Sequence, residues 1–285
     1  MPRRTTSNEL HVRSIGRYGW VPDLPDARDF LYAAPPEVLA ELPPKADLRD
    51  ECPPVYDQGN LGSCTANAIA GAYEFDQTRQ GLPDFMPSRL FIYYNERTLE
   101  GTVDSDSGAM IRDGIKSVAK LGVCPEDEWP YDPARFRYRP SVKCFKDAAK
   151  HQAVVYRNVL QSLPQLRGCI ASGKPVVFGF SVYESFESRE VARTGVVPMP
   201  KRREKQVGGH AVLAVGYDDT EERFIVRNSW GASWGADGYC TMPYGYLTSP
   251  QLAADFWAIE LVERNGETAA RVPTKVARVA TKRRR

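Results

Sequence analysis

The sequence predicts an α+β fold of two lobes, the first helical and the second an antiparallel sheet, with a cleft between them. Three observations carry that prediction. Between Cys64 and Leu121 apolar residues recur at helical spacing. From Ala153 the pattern changes to short, Val-rich runs bounded by turn residues. The length, 285 residues, suffices for a large core divided between two lobes.

In chain order, residues 1–41 form an irregular arm. Its stretch "YGWVPDLPDARDFLYAAPP" mixes aromatic anchors with prolines that forbid long helices. The arm is expected to pack as a permanent strut, because its aromatics need burial. The alternative is a short pro-segment in which "RYGWVPDLP" crosses the cleft and blocks it. Residues 42–150 form the helical lobe. A helix over 64–80 places Ala68, Ala72 and Phe75 on one face and stops at Gly81; further helices are expected over 87–99 and 108–121. Residues 151–263 form the sheet lobe, whose strands include "AVVYRNV", "KPVVFGFSV", "GHAVLAVGYD", "RFIVRNS" and "DFWAIELV". Residues 264–285 form a basic tail.

Charge is unevenly spread over this frame. The net charge is +2, yet the tail holds eight Lys/Arg against one Glu, so the rest of the chain is acidic. Such a run is expected to be solvated and disordered, with no specific nucleic-acid partner. No segment approaches a membrane span, and the start lacks the apolar core of a secretory signal. A cytoplasmic protein, or one exported by another route, is therefore expected, with its six cysteines reduced. No C-x-x-C pair and only three histidines are present, so no metal or cofactor is expected. The sequence leaves the oligomeric state open.

Chemistry concentrates at three places. Cys64 opens a helix directly behind the polar, Gly-rich loop "DQGNLGS". Unpaired N–H groups and the partial positive charge of a helix start stabilise an anion, so a thiol here is expected to have a lowered pKa. A core cysteine on a helix face fits the local pattern equally well. A reactive thiol needs a base. His11 lies in the arm and His151 is expected to be exposed, whereas His210 opens a strand beside Gly208 and Gly209 and can face a cleft. The segment "AVLAVGYDDTEERFIVRN" reads as a hairpin that returns Asn228 to the same sheet end as His210. An amide there can fix the imidazole's tautomer and orientation, and Trp230 can cover their hydrogen bond against water.

With those residues together, the chain resembles the papain-like cysteine peptidases over roughly residues 42–262. "DQGNLGSC" is similar to the family's nucleophile loop, "GGHAVLAVGY" to its histidine strand and "RNSWGASWGADGYC" to its asparagine motif. The resemblance implies the papain-like two-lobed fold, with a sheet or barrel as the second lobe, and hydrolysis of peptide bonds in a protein or peptide substrate. It implies Cys64 as nucleophile in a thiolate–imidazolium pair with His210, and Asn228 as the group orienting His210. It places the Gln58 side chain and the Cys64 backbone N–H in an oxyanion hole, and Gly108 and Trp230 against substrate.

The chain departs from the family pattern at several points. Thr65 follows the nucleophile where tryptophan is usual, and Leu61 replaces one half of the neighbouring disulfide. Cys144 and Cys240 resemble halves of two other bridges without obvious partners. A long helical prodomain is absent from residues 1–41. Two other functions use the same scaffold: acyl transfer or deamidation at an amide, and peptide binding without turnover.

Overall fold

The computed structural model describes residues 18–263. Its first elements come from the arm and the connection that follows: β1 (Leu31–Tyr32), α1 (Pro36–Ala40) and β2 (Lys45–Asp47). Four helices follow: α2 (Cys64–Arg79), α3 (Arg89–Glu100), α4 (Ile111–Leu121) and α5 (Val142–Ala148). The rest is mainly sheet: β3 (Ala153–Val159), α6 (Leu163–Ala171), β4 (Val176–Tyr183), α7 (Arg189–Thr194), β5 (Gln206–Asp218), β6 (Arg223–Arg227), β7 (Tyr239–Pro243), α8 (Tyr244–Leu247) and β8 (Ala253–Val262). The basic tail and His11 lie outside the described residues.

Helix α2 is the axis of the molecule. Every residue from Cys64 to Gln77 is buried, which a helix rich in alanine permits because small side chains let neighbours approach on all sides. It packs on α3 and α4 on one side and on β5 and β8 on the other. Helix α3 starts where the Ser88 hydroxyl accepts from the Phe91 N–H, and it ends at Gly101 in the left-handed region (φ 71°). Helix α4 begins at Ile111, later than the spacing predicts. Gly108 has φ 73°, outside helical space, and the backbone of Ala109 is committed to pairing with the arm.

The strands form one open sheet in the order β1-β3-β8-β4-β5-β6-β7, with β2 on a second path beside β5. All pairings are antiparallel except β1 with β3. The sheet does not close into the barrel that was one expected form of this lobe. Strand β4 is buried for nearly its whole length, since helices pack on it and β5 and β8 flank it. The hairpin β5–β6 pairs Leu213 with Arg227, which sets His210 and Asn228 at one end of the sheet. Among the described residues no helix is long and apolar enough to cross a membrane.

All six cysteines are free thiols. Cys144, without an evident partner in the sequence, lies beside Cys124, whose thiol is hydrogen-bonded to it. His151 is buried against the Phe85 ring at 4.7 Å rather than exposed. It follows α5, near the lobe junction, and the turn that carries it folds inward under Phe85.

Candidate active site

The loop before Cys64 is held from several sides. Arg89 forms a two-pronged pair with Glu126 (2.5 and 2.8 Å) and donates to the Asp57 carbonyl and to Asn67 Oδ1, both at 3.2 Å. Tyr131 donates to the Gln58 carbonyl at 2.8 Å and shares a hydrogen bond with Ser63. Asp106 accepts from the Gly62 N–H at 3.0 Å. Gln58 is buried; its Nε2 donates to the Leu61 carbonyl at 3.0 Å, and its Oε1 accepts from Ser229 Oγ at 2.6 Å. The Gln58 N–H also donates to the Ser229 carbonyl. The loop of the helical lobe is thereby stitched to the asparagine segment of the sheet lobe.

Asn228 accepts twice at Oδ1: from the Ser229 backbone N–H at 2.8 Å, and in a 2.8 Å bond with His210 Nε2. A backbone N–H can only donate, so Oδ1 is the acceptor and Nε2 must carry the proton. In the neutral ring Nδ1 is then the lone-pair nitrogen, and it has no hydrogen-bond partner among the described residues. The Trp230 ring stacks on the imidazole, with centroids 5.1 Å apart at 29°, and Phe180 and Phe186 approach it on other sides. Asn228 and Trp230 are both buried. The indole thus lies over the ring that makes the His210–Asn228 bond.

The Cys64 sulfur is reached by the backbone N–H groups of Ala211, Gly19 and Thr65. The residue after His210 thus reaches the sulfur, which brings the β5 strand of the sheet lobe up to Cys64 of the helical lobe. The expected low thiol pKa is not found in this state. Burial pushes the Cys64 thiol up to about 12, outweighing those N–H groups. Burial also lowers His210 to about 4, against the opposing effect of Asn228. Both groups are neutral here, because desolvation penalises each charged form.

The arm packs against both groups. Residues 18–21 run through the cleft between the two lobes. Trp20 N–H donates to the Gly209 carbonyl at 3.0 Å, Ala109 N–H to the Gly19 carbonyl at 2.8 Å, and Val21 N–H to the Ala109 carbonyl at 3.0 Å. Gly19 lies so close to Gly62 that a Cβ on it would meet the Gly62 carbonyl oxygen at 1.7 Å. Tyr18 sits edge-on to His210 at 5.9 Å and donates its hydroxyl to Glu187. Gly108 gives the arm clearance: a Cβ there would meet the Gly19 carbonyl oxygen at 2.2 Å. Ala109 does the pairing.

The sequence reading missed several groups. Thr65 donates to Glu96 at 2.6 Å, and burial raises Glu96 far above the ordinary carboxyl range. Glu96 therefore stands behind Thr65, beside Cys64, and its charge acts to raise the thiol. Ser229, which joins Gln58 to Asn228, and Asp255, which receives the arm, were also missed. Only the Ser229 neighbourhood within "NSW" hinted at a role.

Comparison with known proteins places this geometry in context. The profile described as papain family cysteine protease matches residues 42–253. An uncharacterized peptidase C1-like protein, L477 of Acanthamoeba polyphaga mimivirus, is 44% identical over 279 residues, covering 89% of this chain and 90% of its own. Cathepsin B-like CP2 of Giardia intestinalis is 29% identical over 72% of this chain and 70% of its own. Among solved structures, xylellain, a cysteine protease from Xylella fastidiosa, superposes with a TM-score of 0.80 at 50% identity, covering 86% of this chain and 96% of that one. Procathepsin L 3 of Tenebrio molitor shares the fold, with a TM-score of 0.63 at 19% identity.

Proposed function

This chain belongs to the papain family of cysteine proteases, and on that premise we propose that it hydrolyses peptide bonds with Cys64 as nucleophile and His210 as its base. The observation that carries the reading is the assembly at the sulfur. Ala211 N–H touches Cys64 while the Asn228 and Ser229 bonds force the proton onto His210 Nε2, leaving Nδ1 as the acceptor. Nδ1 takes the thiol proton, the thiolate attacks the carbonyl carbon, and a tetrahedral oxyanion forms. The second amide hydrogen of Gln58 and the Cys64 N–H stabilise that oxygen. The imidazolium then protonates the leaving amine, and water, deprotonated at Nδ1, releases the acyl group and restores the thiol.

In the same reading residues 18–21 block the site in this state. Gly19 occupies the position above the sulfur where a scissile peptide must lie, and Tyr18 and Trp20 fill the cleft on either side of it. The arm is therefore a short pro-segment as well as a packed strut. Residues 1–41 and a body starting near Leu42 are the corresponding division of the chain. Peptide mass spectrometry of a protein mixture treated with the full chain and with its Gly19→Ala variant tests both statements. New N-termini, faster with the variant and absent with Cys64→Ala, are expected. A mass shift from deamidation without cleavage overturns the peptidase assignment.

A further inference from the structure

The peptide group that joins Leu61 to Gly62 is held at both ends. Its carbonyl oxygen accepts from Gln58 Nε2 at 3.0 Å, and its N–H donates to the Asp106 carboxylate at 3.0 and 3.2 Å. The group is planar and turns as one unit, so fixing the N–H also fixes the carbonyl to which Gln58 is bonded. Glycine at position 62 lets the carboxylate come this close: a Cβ there would meet Asp106 Oδ1 at 3.0 Å. No covalent crosslink shares the task, since all six cysteines are free thiols.

Asp106 is itself anchored to helix α3. The Tyr93 hydroxyl donates to Oδ1 and accepts from the Gly108 N–H at 3.2 Å. Burial, and then the bond to Asp106, raises the Tyr93 phenol well above its ordinary range, so it stays a donor. The Arg97 guanidinium lies over the Tyr93 ring, 3.9 Å from its centroid, and donates to the carbonyls of Val103 and Ser105 at 2.7 and 3.0 Å. Tyr93 and Arg97 are both fully buried. The loop over 101–108 is therefore built out from α3, and its last residue precedes Ala109, which pairs with the chain in the cleft.

On its other side Gln58 is gripped by Ser229 Oγ, 2.6 Å from Oε1. That contact fixes one point of the carboxamide, and the Leu61 carbonyl fixes its plane. One Nε2 hydrogen then points at Leu61, and the other is aimed in a set direction. An oxyanion hole depends on that direction, since a donor displaced by about 1 Å can cost on the order of 10²-fold in rate.

We propose that Asp106 is a positioning residue of the oxyanion hole, acting through the Leu61–Gly62 peptide on the Gln58 amide. This rests on the peptidase reading above and adds to it a residue that works at one remove, with Tyr93 holding it in place.

Two rates, measured side by side on the full chain and on its Gly19→Ala variant, test it. One is kcat/KM for an internally quenched peptide; the other is the rate constant for alkylation of Cys64 by iodoacetamide. Peptide hydrolysis passes through an oxyanion. Alkylation displaces iodide from carbon and forms none. Both rates scale with the fraction of molecules whose cleft is open, so their ratio does not. Asp106→Ala is expected to lower the ratio of turnover to alkylation by roughly tenfold or more, though by less than Gln58→Ala does. Asp106→Asn, whose Oδ1 can accept from both Gly62 and Tyr93, is expected to stay within about threefold of the parent. In the Gln58→Ala background, Asp106→Ala is expected to change the ratio by less than about threefold, because the two residues act as a unit. Turnover and alkylation falling together mark a general loosening of the fold and overturn the proposal. So does an Asp106→Ala effect that persists in full without Gln58, or an Asp106→Asn variant as defective as Asp106→Ala. Cleavage of no peptide, with Cys64 alkylated no faster than the other cysteines, overturns the peptidase reading and this proposal with it.

Discussion

The two halves of the cleft contents are held by different kinds of bond. The residues around His210 and Cys64 are fixed from within the body, by two backbone N–H groups and a guanidinium that can only donate: Ser229 N–H on Asn228, Ala211 N–H on the sulfur, and the Arg89 side chain on the Asp57 carbonyl. The arm above it is held by three main-chain bonds, two aromatic rings and a cluster of carboxylates. Asp23 and Asp255 face each other there, with Arg112, Trp257 and Trp20 around them. The first set has no titrating member needed for its geometry. The second changes charge near neutral pH. Under the function proposed above, that difference separates a permanent site from a conditional cover.

The largest effect that can break this comparison comes from the machinery. Cys64→Ala and His210→Ala should each lower kcat by on the order of 10⁴-fold or more, since nucleophile and base act as a unit. Steady-state kinetics on the Gly19→Ala background measure this, and residual turnover close to the parent's defeats the assignment. Gln58→Ala should cost about 10²–10³ in kcat with a smaller change in KM. Part of any further loss reflects the Ser229 hydroxyl it strands, which Ser229→Ala measures separately.

The cover yields smaller effects of the opposite sign. Gly19→Ala cannot keep the Gly62 contact, so the arm must shift and turnover of small peptides should rise, by about tenfold if the clash costs the arm roughly 1.4 kcal/mol of docking. pH acts in the same direction. Burial and then the Asp255 charge raise the Asp23 carboxyl to about 7 while the arm is docked. Released, it returns to the ordinary carboxyl range. The docked state therefore binds the proton more tightly. Docking is strongest below about pH 4, weakens as pH rises toward 7, and is flat above that. Turnover by the full chain, divided by that of Asp23→Asn at each pH, should climb across this window; a ratio falling with pH contradicts the sign.

Much of this was legible in the sequence, for local reasons. Helix α2 begins at Cys64 as the loop-to-helix junction indicated, and the hairpin β5–β6 brings His210 and Asn228 together as its polar turn indicated. What escaped depended on the third dimension. Glu96 reads as a surface charge on a helix, and only packing shows it buried under Thr65. His151 looked polar by its neighbours, yet Phe85, more than sixty residues away, covers it. Asp255 gave no signal within "AADFW"; its partners are Trp20 and Asp23 at the other end of the chain. The arm's aromatics announced burial but not where. That Gly19 must pass the sulfur is visible only once Gly62 stands 1.7 Å from where its Cβ would be. The thiol pKa was misjudged for the same reason, since a helix start lowers it only while water or an imidazolium supports the anion.

The central claim is that a complete thiol–imidazole site lies ready beneath a removable cover. The direct test is the rate of Cys64 alkylation by iodoacetamide at neutral pH in the full chain and in Gly19→Ala, resolved by peptide mass spectrometry against the other five cysteines. The account predicts slow labelling of Cys64 in the full chain and labelling faster by about tenfold or more in the variant, selective for Cys64 and lost when His210 is replaced by alanine. Equal, slow labelling of all six cysteines in both chains would contradict it.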